Sequence, residues 1–82
     1  MDLTYLPILT DYTNNGNVGS TRAAFEVKIF ITGTNNQVGT ASVVLAHGIP
    51  WSLRYFRYNT IDNIDISKES IVNSCIELAK TY

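Results

Sequence analysis

The sequence has a single cysteine, Cys75, so no disulfide bond can form within the chain. Its first ten residues, MDLTYLPILT, lack the basic start and the continuous apolar segment of a signal peptide, because Pro7 and polar residues interrupt the apolar run. No stretch approaches the roughly 20 apolar residues that a membrane-spanning helix needs. We therefore expect a soluble protein of the cytoplasm that does not bind membranes.

Charged residues are scarce as well, at 16% of the chain, and they nearly cancel to a net charge of −1. So small a net charge gives no general attraction to nucleic acid or to an acidic membrane. The charge is uneven, because residues 20–59 contain one acidic side chain, Glu26, and four basic ones. These basic residues are Arg22, Lys28, Arg54 and Arg57. A basic surface is therefore expected in the middle of the chain.

The length of 82 residues predicts one small domain, residues 1–82. A domain of this size buries only about 60–65% of the surface that its unfolded chain exposes. Hydrophobic residues make up 45% of the chain, which is enough to form a thin core. Because small domains commonly gain further burial by associating, we expect a homo-oligomer.

Alternating and β-branched residues predict four strands, at about residues 3–12, 23–32, 38–47 and 51–59. Pro7 cannot donate a backbone hydrogen bond within a sheet, so the first of these suits an edge. In the second, Phe25, Val27 and Ile29 point to one face and polar residues to the other. The third is apolar on both faces, which is typical of a central strand covered by a helix on one side and by another layer on the other.

The last segment, DISKESIVNSCIELAKTY, has apolar residues at a period of about 3.6 and predicts a helix at about residues 67–80. Ser67 suits its N-cap, because a serine hydroxyl accepts a hydrogen bond from the first turn. Glu69 and Lys80 complement the helix dipole. The predicted fold is therefore α+β: a four-stranded antiparallel β-meander with one C-terminal α-helix packed on one sheet face.

Two similar stretches, TNNGNVGS at residues 13–20 and GTNNQVGT at residues 33–40, are interpreted as turns. Asn and Gly tolerate the positive φ angles that tight turns require. Neither stretch matches GxxxxGK[ST] or GxGxxG, and neither precedes a predicted helix that could bind a phosphate. Successive turns of a meander lie at opposite ends of the sheet, about 25 Å apart, so the two could not share a ligand within one subunit.

No motif predicts a catalytic residue, a metal site or a cofactor. His47 is the one histidine and is interpreted as a polar residue at the end of a strand. Cys75 lies on the apolar stripe of the predicted helix, where a free thiol behaves as a small hydrophobic group. A catalytic triad of Ser42, His47 and Asp62 is rejected because no nucleophile elbow surrounds the serine.

Asp62, Asp65 and Glu69 gather near the predicted helix start. Paired carboxylates can serve acid–base catalysis or bind a hard cation. Their spacing does not fit a calcium-binding loop, and acidic residues before a helix are typical of capping. An enzyme with a site shared between subunits, built on His47 and the Asp62–Asp65 segment, remains a third hypothesis.

The segment IPWSLRYFRY, residues 49–58, has six residues in ten that are Trp, Tyr, Phe or Arg. Regular alternation predicts that Trp51, Leu53, Tyr55 and Arg57 share one face, and that Arg54, Phe56 and Tyr58 share the other. One helix can cover only one of these faces. Trp, Tyr and Arg dominate the energetic hot spots of protein interfaces. The predicted partner-binding residues are Trp51, Arg54, Tyr55, Arg57 and Tyr58.

The first functional hypothesis is a small non-enzymatic protein–protein interaction module, acting as an adaptor, an inhibitor or a self-associating subunit. The alternative is a small domain that binds single-stranded nucleic acid through Arg22, Lys28, Arg54 and Arg57, with bases stacked on the neighbouring tyrosines. A purely structural interpretation also remains, in which the rings complete the core and the arginine stems lie over them.

Overall fold

The computed structural model describes residues 2–13, 21–48 and 50–82, and within them the chain forms four strands and one helix. These are β1 (Leu3–Thr13), β2 (Arg22–Ile31), β3 (Gln37–Ala46), β4 (Ser52–Thr60) and α1 (Lys68–Ala79). Each strand pairs antiparallel with the next, so the sheet order is β1-β2-β3-β4. The helix packs on one face of this sheet, and the predicted α+β meander is confirmed.

One face of the sheet carries the core, because every second residue of the two central strands points toward α1. On β2 these residues include Phe25 and Val27, and on β3 Val43 and Leu45, all of which are 2% exposed or less. The helix contributes three residues spaced four apart, which form one apolar stripe. These are Ile71, Cys75 and Ala79, all fully buried.

Two hydrogen bonds of Ser67, one to Ser70 and one to Tyr5, fix the start of α1. The Ser67 hydroxyl accepts from the backbone N–H of Ser70 at 3.2 Å, which satisfies one of the free donors of the first turn. The backbone N–H of Ser67 donates to the Tyr5 hydroxyl on β1 at 3.0 Å. At the other end, Lys80 pairs with Glu77 at 3.1 Å on the surface. The helix is therefore attached to the β1 side of the sheet.

The second Asn/Gly stretch begins with the turn that joins β2 to β3, as predicted. Gly33 has a φ of 80°, in the left-handed region that favours glycine. The Thr34 hydroxyl donates to the carbonyl of Ile31 at 2.8 Å and accepts from the N–H of Asn36 at 3.1 Å. Most of the first stretch, residues 14–20, lies outside the described residues, so its interpretation as a turn stays a prediction.

In the described part of the chain, no helix combines the length and the apolar character needed to span a membrane.

Close approach of β3 and β4 depends on Gly39, and this generates a stability prediction. A Cβ atom at this position would lie 2.6 Å from the Asn59 carbonyl oxygen and 2.7 Å from the Thr60 Cγ2 atom. Gly39→Ala must therefore push the two strands apart, and we expect a loss of about 1–3 kcal/mol in the free energy of unfolding. Urea denaturation measures it. Ser42→Ala, an exposed change on the same strand, is the control and should stay within about 0.5 kcal/mol of the parent; equal effects of the two changes would contradict the prediction.

Candidate functional site

The second face of the sheet has no covering layer in the described residues, although β3 was expected to be covered on both sides. The helix and the linker residues Ile64 and Ile66 all pack with the core on the first face. Side chains directly opposite each other in antiparallel strands point to the same face, so the register defines this open face. Its members include Thr4, Leu6, Ile8, Asp11, Ala24, Glu26, Lys28, Phe30, Thr40, Ser42, Val44, Tyr55, Arg57 and Asn59, with Thr13, Arg22, Ala46 and Ser52 at one end.

The open face mixes apolar, aromatic and charged side chains. Leu6 is 49% exposed and Ile8 39% exposed, and they stand opposite Lys28 and Glu26 on β2. Tyr55, on the far side of the sheet, is 47% exposed. Large exposed apolar side chains that share one face mark a surface suited to binding.

A β-bulge in β4 changes the predicted faces of this strand. Val44 pairs with Tyr55 but the next residue, Leu45, pairs with Leu53, which leaves Arg54 as an extra residue. The expectation that Leu53 and Tyr55 share a face is therefore wrong, because one extra residue reverses the alternation. Leu53, Phe56 and Tyr58 lie on the helix side, whereas Tyr55, Arg57 and Asn59 belong to the open face.

Trp51, a predicted partner-binding residue, lies in the core instead of on the surface. It is 7% exposed and packs edge to face against the His47 ring, with ring centroids 4.8 Å apart at 85°. It precedes β4, where the alternation of the strand does not yet apply, and its side chain turns inward. Little of Trp51 is available to a partner, and His47 has a packing role beside it.

The other four predicted partner-binding residues, Arg54, Tyr55, Arg57 and Tyr58, are exposed. Tyr58 is 52% exposed although it lies on the helix side, because α1 packs over β1, β2 and β3. Phe56, its half-buried neighbour, lies 6.0 Å from the Tyr58 ring and under the Lys68 ammonium at 5.3 Å. Strand β4 therefore exposes a tyrosine on each of its two faces.

The outer edge of β4 carries strand-pairing groups to which no described strand bonds. The backbone N–H of Ile61 donates to the Val38 carbonyl at 2.9 Å, which fixes the hydrogen-bonding phase of the β3–β4 ladder. Because hydrogen-bonded and non-hydrogen-bonded pairs alternate, Tyr55, Arg57 and Asn59 bond to β3. The backbone groups of Phe56, Tyr58 and Thr60 point outward. Among the described strands, β4 pairs with β3 alone.

The opposite edge of the sheet, β1, is interrupted. The N–H of Thr32 donates to the Asp2 carbonyl at 3.0 Å, so in the same alternation Pro7 falls at a position whose backbone points outward. Proline has no N–H to offer there. The two edges therefore differ in their capacity to accept another strand.

The basic residues predicted for nucleic-acid binding are only partly brought together. Arg22, Lys28 and Arg57 share the open face, and Arg54 lies at the exposed bulge of β4. Glu26 separates Arg22 from Lys28 along β2 and stands in the same cross-strand row as Arg57, since both pair with Ser42. A depression of about 250 Å³ beside Arg57 is lined by Thr40, Ser42, Tyr55, Arg57, Tyr58 and Asn59.

Cys75 and Asp62, two of the residues considered for catalysis, have structural roles. Cys75 is fully buried, and burial raises the pKa of its thiol to about 12, so the nucleophilic thiolate is scarce near neutral pH. Asp62 and Asn63 have φ angles of 56° and 49°, which short polar side chains tolerate, and they form the turn after β4 instead of a helix cap. Within the described residues, no three His, Cys, Asp or Glu side chains lie close enough to hold a metal ion.

Cys75 should make the fold less stable in alkaline solution. The thiol of the unfolded chain, with a pKa of 9.0, loses its proton at a lower pH than the folded thiol does. The stabilisation that the buried Cys75 thiol contributes is therefore complete below pH 9 and falls as the pH rises toward 12. Urea denaturation is measured for the parent and for Cys75→Ala. The other titrating groups contribute equally to both chains, so their effect on the free energy of unfolding cancels in the difference. The difference in unfolding free energy between them should shift against the parent by about 2 kcal/mol from pH 7 to about pH 10.5. A difference that does not change with pH would contradict this.

Comparison of this chain with models of known protein families, with curated proteins and with solved structures found no match. Its function is therefore inferred from its own residues.

Proposed function

We propose that this chain is a small non-enzymatic protein-interaction module whose binding element is strand β4. The observation that carries the proposal is that β4 exposes Tyr55 on one face, at 47%, and Tyr58 on the other, at 52%. Arg54 and Arg57 are exposed beside them. Tyrosine and arginine are enriched among the residues that contribute most to protein binding. An adaptor, an inhibitor and a self-associating subunit all fit this description.

The edge of β4 supports binding of an extended partner segment. Added strands gain affinity from main-chain hydrogen bonds and specificity from alternate side chains. The outward backbone groups of Phe56, Tyr58 and Thr60 can form these main-chain hydrogen bonds. A segment paired along this edge would lie beside both faces of β4, so it would reach Tyr55 and Tyr58 at once.

The proposal assigns no catalytic residue and no cofactor. The thiol of Cys75 is buried with a raised pKa, and the imidazole of His47 packs against Trp51. The proposed location is the cytoplasm, since the fold has a single buried cysteine and proteins of reducing compartments rarely depend on disulfides.

A second candidate function, binding of single-stranded nucleic acid, is favoured by one observation. Arg22, Lys28 and Arg57 share the open face with Tyr55, and an aromatic ring among cations is how such strands are held. The carboxylate of Glu26 lies among these cations and repels the phosphates of a bound strand. The acidic neighbour is the reason that protein binding is preferred.

The protein-binding proposal is tested by affinity capture with chemical cross-linking in lysate of the source organism. The double variant Tyr55→Ser/Tyr58→Ser should lose about tenfold or more of the partner that the parent retains, whether that partner is another protein or the chain itself, since two hot-spot rings are removed. Tyr82→Ser is the matched control, because Tyr82 is another exposed tyrosine, at 56%, and it packs beside Tyr12 at a distance from β4. Unchanged capture by the double variant, equal loss with the control, or no partner for the parent would each overturn the proposal.

The nucleic-acid candidate is tested by fluorescence anisotropy with a labelled 15-nucleotide single strand of mixed sequence. If three phosphates are contacted, affinity should fall about twentyfold between 50 and 200 mM salt. Lys28→Glu should weaken it further, whereas Lys80→Glu, at the end of α1, should not. No anisotropy change at 50 mM salt would exclude this candidate.

A further inference from the structure

We infer that the partner of β4 is a second copy of this chain, paired edge to edge so that the two sheets form one continuous antiparallel sheet. This inference rests on the proposed function and names its partner. The outward backbone groups of β4 can pair with those of another β4, whereas Pro7 interrupts the edge of β1. Only edge pairing brings a second molecule beside both Tyr55 and Tyr58, which face opposite sides of the strand.

Symmetry limits the registers that such a pair can adopt. Two identical antiparallel edge strands are related by a two-fold axis perpendicular to the sheet, so the residue at the axis stands opposite itself. The helices of both copies then lie on the same side. Arg54 and Arg57 are disfavoured at the axis, because like charges directly opposite each other destabilise a strand pair.

Phe56 satisfies the remaining conditions. It is the midpoint of β4 (Ser52–Thr60), so an axis at Phe56 sets residues 54–58 of the two copies opposite each other, and the bulge at Arg54 ends the regular pairing there. Its backbone N–H and C=O point outward, and the two copies can therefore exchange two hydrogen bonds at the axis.

The same register sets Arg57 opposite a tyrosine and brings Arg54 close to another. Counting outward from Phe56, Arg57 stands opposite Tyr55 of the second copy, and the bulge residue Arg54 lies beside Tyr58 of the second copy. An arginine guanidinium beside a tyrosine ring is attracted electrostatically. The Tyr55–Arg57 pairs lie on the open face, where both residues are exposed in the single chain. An axis at Tyr58 instead would set Tyr58 against itself and leave Arg57 opposite Asn59.

Opposite charges introduced at Tyr58 test this register by sedimentation equilibrium. The parent should dimerise. Because residue 58 lies beside Arg54 of the second copy, Tyr58→Glu should dimerise at least as tightly as the parent, and Tyr58→Lys should dimerise about tenfold more weakly. With the axis at Tyr58, both variants would repel their own copies and both would weaken. Equal weakening of both variants, or no effect of either, would overturn the inference. Tyr82→Glu and Tyr82→Lys are the matched controls and should behave as the parent does.

Disulfide trapping gives a second readout, in a Cys75→Ala background. At the axis the two Cα atoms of a hydrogen-bonded pair lie about 5.5 Å apart, within the range that a disulfide spans. Phe56→Cys should therefore form a covalent dimer on oxidation. Tyr58→Cys should not, since its two copies would be offset by four residues, about 13 Å along the strand. Cross-linking at residue 58 in place of residue 56 would contradict the register.

The outcomes separate this inference from the proposed function. A parent chain that stays monomeric up to millimolar concentration overturns self-pairing. The capture experiment then decides the proposed function independently: a different protein lost with Tyr55→Ser/Tyr58→Ser and retained with Tyr82→Ser supports it, and the absence of such a protein overturns it.

Discussion

The width of one helix is the constraint on which the rest of this structure depends. An α-helix with its side chains is about 10–12 Å across, whereas four strands spaced about 4.8 Å apart present a wider surface once their own side chains are included. The bond between the Tyr5 hydroxyl and the N–H of Ser67 holds α1 over the β1 side. The core therefore forms over β1, β2 and β3, and β4 remains at the margin with Tyr58 exposed on the side that the helix faces.

The architecture was predictable because local signals agree with the global fold. The alternation around Phe25 and Val27, the 3.6-residue stripe through Cys75 and the capping serine at Ser67 each specify one element, and short turns leave the meander as the simplest connection. The sidedness of β4 was not predictable. The bulge at Arg54 arises from the pairing of β4 with β3, and that is a tertiary property with no signature in the alternation of the segment itself.

The structure differs from the sequence expectation at two residues, Trp51 and Asp62. The composition of residues 49–58 predicts a surface position for Trp51, but a large ring next to a core packs into it. Asp62 was interpreted as a helix cap, yet the pair Asp62–Asn63 is itself a turn signal, since both residue types tolerate the left-handed conformation seen there.

The difference between the two sheet edges explains how self-pairing through β4 would end at two copies. Joining two sheets at β4 leaves β1 at both outer edges of the combined sheet. Pro7 has no N–H to donate at that edge. Proline on an edge strand is one of the ways in which natural sheets prevent further strand addition. In the proposed dimer the two edges would therefore act together: the β4 edge would bind one partner, and Pro7 on the β1 edge would keep that association from growing into a fibre.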